Sequence, residues 1–275
     1  MSTIATEARG SVRVLRLNRP EARQALDAAL IAELTAAFRA AGEDAAVRVV
    51  LLASSGPAFC AGADLRGMQR MGEASEAETI ADAVALARLL DTVAACPKPV
   101  LARVHADCYG GGLGLVAACD IALAGSAARF CLSEVRLGLT PATISPHVLR
   151  AIGPRAASRY MLTAERFDAA EAQRIGLVHA VHAPEALDSA VDALRDALLR
   201  GGPEALRETK RLIADFGGRQ LPAGWLEDTA GRIAGRRGSD EGREGLAAFF
   251  AKRPPRWAPQ DGAAAPGGKP RAGGK

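Results

Sequence analysis

The feature that most limits how this chain can fold is a repeated alternation of short apolar strands with helical segments. Residues 47–52 and 100–105 are apolar runs of strand length, and apolar residues at helical spacing follow each run before the next strand begins. Strands and helices that alternate in this way form parallel sheets with crossover helices. Only 4% of the 275 residues are aromatic, so small aliphatic side chains must fill the core. We therefore predict an α/β fold.

The residue pattern and composition change along the chain, which predicts three regions. Residues 154–253 are almost purely helical in pattern, and Pro, Gly, Ala and Lys then follow one another without a period. Such a composition buries too little apolar surface to fold. We predict a core over residues 1–190, a helical region over 191–257 and a disordered basic tail over 258–275. Residues 67–79 are polar, lack a clear period and are predicted as a mobile loop.

The net charge of +4 comes from the C-terminus. Residues 252–275 hold six basic residues and one acidic residue, whereas the other 251 residues hold 29 basic and 30 acidic residues. A basic segment can bind nucleic acid through its phosphates. Trp257 is the single aromatic residue of this segment, so stacking on bases has little support. We therefore expect no nucleic-acid partner, and RNA binding by the tail stays an alternative.

Cysteine usage and hydropathy indicate where the protein works. Five cysteines are scattered without a C-x-x-C pair, which fits a reducing compartment better than a disulfide framework. No run approaches the ~18 apolar residues of a membrane span. His179 and His182 lie three residues apart, but no third ligand or helical period accompanies them, so we predict no metal site. These features predict a cytoplasmic protein without membrane contact.

Three consecutive glycines, Gly110 to Gly112, stand between a predicted strand and an apolar helix. They do not fit the dinucleotide pattern, which needs glycine in place of Leu115, and no Lys-Ser/Thr pair follows as in a P-loop. Glycines let a backbone approach a ligand closely, and a helix N-terminus offers free N–H groups at its positive end. The segment thus predicts an anion site or a tight packing turn. A similar small-residue loop covers residues 58–65.

These two loops belong to a set of motifs that resembles one family. The motifs are FCAGADL at residues 59–65, the triple glycine followed by ACDI at 118–121, FCLSE at 130–134 and LG at 137–138. In this order and spacing, the chain is similar over about residues 11–257 to the enoyl-CoA hydratase/isomerase (crotonase) family. The stretches 112–116 and 140–146 are similar to bacterial members assigned to branched, carboxylated enoyl-CoAs such as 3-methylglutaconyl-CoA.

The resemblance implies a crotonase-like spiral of ββα units with a C-terminal helical region that trimerises, commonly as a dimer of trimers. It implies an acyl-CoA thioester as substrate, with coenzyme A as part of that substrate and no separate cofactor. The thioester oxygen would bind the backbone N–H groups of Ala63 and Gly111. Preorganised donors of this kind each stabilise the transition state by roughly 2.7–4 kcal/mol.

The family's contacts to coenzyme A and substrate map onto a larger set of positions, of which the first two match more loosely. Arg66 would face a phosphate of coenzyme A, with which a guanidinium can pair, or would remain a solvated charge. Phe249 would line the acyl pocket or pack within the trimer. The complete set is Ala22, Arg23, Ala61, Asp64, Leu65, Arg66, Gly110, Gly114, Ala142 and Phe249.

One expected carboxylate is missing. Hydratases of the family typically activate one water with two glutamates, and the corresponding positions here are Gly114 and Glu134. Glu134 is the predicted acid/base, with its pKa raised by desolvation, and Ala142 matches a glycine whose N–H helps to hold the water. The similarity to branched-substrate hydratases favours hydration. Isomerisation of an enoyl-CoA double bond by Glu134 alone is the first alternative, and a non-catalytic CoA- or RNA-binding protein is the second.

Overall fold

The computed structural model describes residues 2–218 and 220–259, and the predicted α/β class is confirmed within them. The chain divides into two compact units, the first ending at Arg195 and the second beginning at Asp196. The predicted tail at 258–275 lies outside the described residues except for its first two positions. Within the described ranges, none of the helices combines the length and hydropathy that a membrane crossing requires. A cytoplasmic location stays a prediction.

Two sheets form the frame of the first unit. Its described strands are β1 (Ile4–Arg9), β2 (Val12–Leu17), β3 (Val49–Ser54), β4 (Ala58–Cys60), β5 (Val100–Val104), β6 (Asp107–Tyr109), β7 (Ile121–Gly125), β8 (Arg129–Cys131), β9 (Phe167–Asp168) and β10 (Ala180–His182). The larger sheet has the order β1-β2-β3-β5-β7-β10 and the smaller sheet the order β4-β6-β8-β9. Neighbouring strands are parallel except in the pairs β1 with β2 and β8 with β9.

Helices alternate with these strands and then replace them. The helices are α1 (Ala28–Glu43), α2 (Leu65–Gly72), α3 (Glu76–Ala94), α4 (Gly111–Ala118), α5 (Ser145–Thr163), α6 (Ala169–Arg174), α7 (Leu187–Arg200), α8 (Pro203–Phe216), α9 (Trp225–Gly238) and α10 (Asp240–Phe250). The first six lie in the first unit, α7 runs across the boundary, and the last three lie in the second unit.

Each turn of the chain places one strand in each sheet and then forms a helix. β3 enters the larger sheet, β4 enters the smaller sheet, and α2 and α3 follow. The same order repeats with β5, β6 and α4, and again with β7, β8 and α5. An additional parallel bridge joins Leu26, which precedes α1, to Ala63, which follows β4. The predicted spiral of ββα units is confirmed.

Apolar sequence runs explain why these elements are buried. The β3 sequence VVLLAS is apolar without alternation and almost wholly buried, as expected for a parallel strand that is covered on both faces. Every residue of α4 is buried, so this helix lies inside the core and not on its surface. Phe38, Phe59 and Phe130 are the largest fully buried side chains, and the others among the largest are leucines. The core is thus built mainly from aliphatic side chains, as predicted.

Two expectations about local structure were wrong, and one strand was not predicted. The segment predicted as a loop at 67–79 contains most of α2. Asp64 caps α2 through the N–H groups of Arg66 and Gly67, and a capping box between Ser75 and Glu78 begins α3. Strands β9 and β10 interrupt the helical pattern predicted for 154–253, but with two or three residues they are too short to show a period. β1 was not predicted, because five of its six residues are exposed.

A largely buried arginine ties the turn after β2 to the loop after β4. Arg19 Nη2 lies 3.1 Å from Asp27 Oδ2 and 3.2 Å from Asp64 Oδ2, and its Nη1 donates a hydrogen bond to the carbonyl of Ala25. Although burial raises the pKa of Asp64, hydrogen bonds from the N–H of Gly67 and from Arg19 hold that pKa below its usual value. One cation therefore stabilises two carboxylates that cap different helices, α1 and α2.

We expect Arg19→Met to lower the free energy of unfolding by about 3 kcal/mol, because it leaves two largely buried carboxylates without their cation. Arg9→Met is the control, since it removes an ion pair with Glu7 that is about half exposed on both sides and should leave the unfolding midpoint unchanged. Urea denaturation of both variants measures the difference. Equal midpoints for the two variants would contradict the role of Arg19.

Candidate active site

A cavity of about 200 Å³ opens in the first unit where the loop after β4, the start of α4 and the segment after β8 meet. Small residues form one wall: Ala61, Gly62, Ala63, Gly110 and Gly111. The apolar side chains of the lining are Leu65, Met68, Leu86, Leu137, Leu139, Pro141 and Ile144. Its polar side chains are Ser133, Glu134, Thr140 and Thr143. The cavity is thus mainly apolar, with a few polar groups that could orient a ligand.

The backbone direction of Ala63 follows from its bridge to Leu26. Leu26 N–H donates to the carbonyl of Gly62 at 2.7 Å, and Asp64 N–H donates to the carbonyl of Leu26 at 3.0 Å. A parallel bridge uses the groups that flank the central residue, so the N–H of Ala63 points away from Leu26. Gly62 has φ +91°, and a Cβ there would lie 3.1 Å from the carbonyl oxygen of Tyr109. Glycine is therefore required at this position.

The second free backbone donor comes from the start of α4. Gly110 has φ +48°, and its carbonyl accepts hydrogen bonds from the N–H groups of Leu113 and Gly114. Gly111 is the first residue of the helix, and an N–H at that position has no acceptor within the helix. A Cβ on Gly110 would lie 3.8 Å from Gly62 Cα. The two loops are therefore close together, with Ala63 and Gly111 on the same cavity.

Packing also requires the other two glycines of the triplet. A Cβ on Gly111 would lie 2.9 Å from Leu26 Cδ1, and one on Gly112 would lie 2.8 Å from Cys60 Cβ. Contacts this short would force the neighbouring atoms to move. The tight packing turn that the sequence left open is therefore present, together with a helix N-terminus that faces the cavity.

Glu134 brings a carboxylate to this pair of loops. It begins a short 3₁₀ turn, Glu134–Leu137, directly after β8. Its Oε1 lies 3.2 Å from the point where a Cβ on Gly110 would be, so the carboxylate is close to that glycine. Its Oε2 is buried and has no hydrogen-bond partner among the described residues. Burial raises the pKa of this carboxyl group, as expected for a charge removed from water.

The structure explains why no carboxylate stands at residue 114. A Cβ on Gly114 would lie 2.6 Å from Ile144 Cγ2 and 3.3 Å from Leu90 Cδ1. A side chain at this position would overlap Ile144, so the wall beside α4 is apolar. Among the described residues that line the cavity, Glu134 is the only one with an ionisable side chain. Proton transfer in this cavity can therefore use one carboxylate.

The predicted site residues fall into two groups. Ala61, Ala63, Leu65, Gly110, Gly111 and Glu134 line the cavity. Ala22, Arg23, Asp64, Arg66, Gly114, Ala142 and Phe249 are not part of its lining.

The second group has other surroundings. Asp64 caps α2, and Arg66 is exposed in the first turn of that helix. The carbonyl of Arg23 accepts a hydrogen bond from the N–H of Ala61. Ala142 is exposed between two lining residues, and Phe249 is exposed in the second unit. His179, for which no metal role was predicted, accepts a hydrogen bond at Nδ1 from the N–H of Ala122.

Sequence reasoning missed the hydroxyl groups and most of the apolar wall. Ser133 directly precedes Glu134, and Thr140 and Thr143 lie in the turn that leads to α5. Their position close to Glu134 in the sequence was the signal that could have identified them as site residues. Met68 and Leu86 come from α2 and α3, and no motif marked these residues because their contact with the cavity depends on how the two helices pack.

Comparisons with known proteins agree with this architecture. The sequence matches the family described as Enoyl-CoA hydratase/isomerase over residues 7–260. A crotonyl-CoA hydratase of Syntrophomonas wolfei is 36% identical over 209 residues, which are 75% of this chain and 79% of that protein. A 2,3-dehydroadipyl-CoA hydratase of Escherichia coli is 32% identical over 256 residues, which are 93% of this chain and 98% of that protein.

A solved structure shows the same fold. The crystal structure of an enoyl-CoA hydratase from Shewanella pealeana superposes with a TM-score of 0.90 at 40% sequence identity, and the match covers 93% of this chain and 96% of that chain. The sequence match spans most of the chain, and the structural match includes the spiral of ββα units that surrounds the cavity. The chain therefore belongs to the enoyl-CoA hydratase/isomerase family and has the crotonase fold.

Proposed function

We propose that this protein is an enoyl-CoA hydratase that adds water to the double bond of a branched 2-enoyl-CoA, with Glu134 as its acid/base. The observation that carries the proposal is the unpartnered, buried carboxylate oxygen of Glu134 beside two glycine-rich loops with free backbone donors. Membership in the family and the names of the relatives support the hydratase activity.

In this proposal the thioester oxygen binds between the N–H groups of Ala63 and Gly111. Both residues line the cavity, and each N–H lacks a backbone acceptor among the described residues. As water adds to C3, negative charge moves to the thioester oxygen and forms an enolate. Fixed donors stabilise that charge more than they stabilise the neutral thioester, and the N-terminus of α4 adds positive potential.

Glu134 performs both proton transfers. As a carboxylate it accepts a proton from the attacking water, and the resulting hydroxyl oxygen bonds to C3. As a carboxylic acid it then returns the proton to C2, and the thioester carbonyl forms again. Water is the only other reactant. A raised pKa suits Glu134, because this group must both accept and donate a proton near neutral pH.

The lining supports a branched acyl group more than a carboxylated one. Met68, Leu86 and Ile144 give an apolar surface for methyl branches, whereas the described lining contains no lysine or arginine to pair with a second carboxylate. A substrate such as 3-methylglutaconyl-CoA would therefore need a cation from outside this lining. We assign contacts with the phosphates of coenzyme A to the exposed Arg23 and Arg66.

Isomerisation is the second candidate, and the apolar wall beside Gly114 favours it. With one carboxylate, Glu134 could remove a proton from C2 of a 3-enoyl-CoA, which gives a dienolate at the thioester, and return that proton to C4 without any water. The RNA-binding alternative depends on the basic tail, which lies outside the described residues apart from Ala258 and Pro259, and no observation supports it.

The second unit is proposed to carry the interface of a homotrimer, which can pair into a dimer of trimers. Ile213, Phe249 and Phe250 are all more than 60% exposed there, and soluble monomers rarely leave many large apolar side chains in water. Light scattering after size-exclusion chromatography should give a mass of three or six chains. A monomer mass at micromolar concentration would contradict this assembly.

The proposed activity predicts loss of the conjugated enoyl-thioester absorbance when the enzyme meets straight, branched and carboxylated 2-enoyl-CoAs, with a 3-hydroxyacyl-CoA detected by mass. We expect the highest kcat/KM for a branched, uncharged substrate. Glu134→Gln should lower kcat by at least about 10²-fold, because it removes the acid/base. Glu185→Gln, at an exposed glutamate, is the matched control and should retain full activity. Formation of a 2-enoyl-CoA from a 3-enoyl-CoA, without a hydroxy product, would identify an isomerase instead.

The raised pKa of Glu134 predicts opposite pH effects on activity and stability. The carboxylate form accepts the proton, so kcat/KM should fall on acidification, starting at a higher pH than an ordinary glutamate would give. The folded protein disfavours the charged form, so ionised Glu134 lowers stability at neutral pH, and this penalty disappears as acid protonates the group. Glu134→Gln should therefore raise Tm at pH 7 and lose that advantage below pH ~4. A pH-independent Tm difference would contradict the burial effect.

A further inference from the structure

Addition of water requires a second group besides the base, because the attacking oxygen must be held at C3 in a defined orientation. One hydrogen bond to Glu134 leaves the water free to rotate about that bond, and loss of orientation can cost about a hundredfold in rate. The resemblance suggests the backbone N–H of Ala142 for this hydrogen bond, but Ala142 is exposed and is not part of the cavity lining. The need for this second group rests on the proposed hydratase function.

The cavity wall limits the choice of that group. Residue 114 offers no side chain, and Ile144 and Leu90 occupy the space next to it. Glu134 is the single ionisable residue of the described lining, so the partner must be neutral. The neutral polar side chains of the lining are the hydroxyls of Ser133, Thr140 and Thr143.

Thr143 fits the requirement best. It directly precedes Ile144, the residue that closes the wall beside Gly114, and it is half-buried, whereas Thr140 is exposed. Ser133 directly precedes Glu134 and so belongs to the segment that already supplies the carboxylate, whereas Thr143 comes from a different segment of the lining. Thr143 also lines the cavity, so its hydroxyl can bind a water there.

We propose that the hydroxyl of Thr143 holds the attacking water together with Glu134. One O–H of the water donates to the Glu134 carboxylate and the other O–H donates to Thr143 Oγ1, which leaves a lone pair of the water for C3. The water then bonds to C3, its first proton moves to Glu134, and that proton passes on to C2. Thr143 gains and loses no proton, so the net change is addition of H and OH to the double bond.

Three substitutions at Thr143 separate the effect of the hydroxyl group from the effect of the branched side-chain shape. Thr143→Ser keeps the hydroxyl and loses the methyl group, Thr143→Val keeps the branched shape and loses the hydroxyl, and Thr143→Ala loses both. If the hydroxyl holds the water, Ser should retain hydration within about threefold, and Val and Ala should lose about a hundredfold in kcat. If the residue only packs, Val should retain the activity and Ser should lose it. Activity that is retained in Thr143→Val and lost in Thr143→Ser would overturn the proposal.

A second reaction of the same site tests whether the loss is specific to water. Exchange of C2 hydrogen for deuterium in a saturated acyl-CoA uses Glu134 and the thioester donors but no attacking water. Thr143→Val should therefore exchange at the wild-type rate, measured by mass in D₂O, while its hydration is reduced. Equal loss of exchange and hydration in Thr143→Val and Thr143→Ala would contradict a water-holding role.

Two further measurements complete the design. Thr140→Val and Ser133→Ala test the other two hydroxyls of the lining. A hundredfold loss of hydration in either variant, with Thr143→Val active, would assign the water to that residue and overturn the proposal. If the unaltered protein exchanges C2 hydrogen but hydrates no enoyl-CoA, the hydratase function itself fails. That outcome differs from a failure of the Thr143 proposal, in which the unaltered protein and Thr143→Val both hydrate.

Discussion

The site depends on the close approach of two backbone segments, residues 61–64 and 110–112. A Cβ on Gly62 would lie 3.1 Å from the carbonyl oxygen of Tyr109 and would push the segments apart, and a Cβ on Gly111 would lie 2.9 Å from Leu26 Cδ1 and would displace that side chain. Each glycine costs roughly 0.5–1 kcal/mol of stability relative to alanine in regular structure. Burial of the whole of α4 and of the neighbouring strands offsets that cost. The close packing of the two segments and their free N–H donors therefore have the same cause, which is the absence of Cβ atoms at Gly62 and Gly111.

The fold then determines the direction of the donors. Leu26 bonds to both neighbours of Ala63, and Arg19 holds the carboxylate of Asp64 that follows. The N–H of Ala63 thus cannot turn toward another acceptor without breaking backbone bonds of the first spiral turn. Gly111 is constrained in a similar way because α4 is buried along its length. Donors fixed before the substrate arrives need no reorganisation during the reaction, which is the condition for strong stabilisation of an oxyanion.

The parts of this architecture that sequence could predict are those with a local signal. Apolar runs marked β3 and β5, and consecutive glycines marked the turn into α4, because burial and backbone freedom restrict residue type directly. Glu134 could be placed through its motif, although its lack of a hydrogen-bond partner could not. α2 escaped prediction since its polar and methionine-containing sequence hides its period, despite the capping residue Asp64. The role of Ile144 against Gly114 was invisible because the two residues are 30 positions apart in the sequence and meet through packing alone.

A single carboxylate also suits the charge balance of the proposed reaction. Before reaction the cavity would hold one negative charge, on Glu134, and a neutral thioester. When water adds, the proton moves to Glu134 as the enolate forms, so one negative charge is still present and has only changed position. A second carboxylate at residue 114 would add a like charge in a mainly apolar cavity, where repulsion is stronger than in water. Because Gly114 packs against Ile144 and carries no carboxylate, no second negative charge disfavours the enolate. In the proposed mechanism a neutral hydroxyl, that of Thr143, then holds the water.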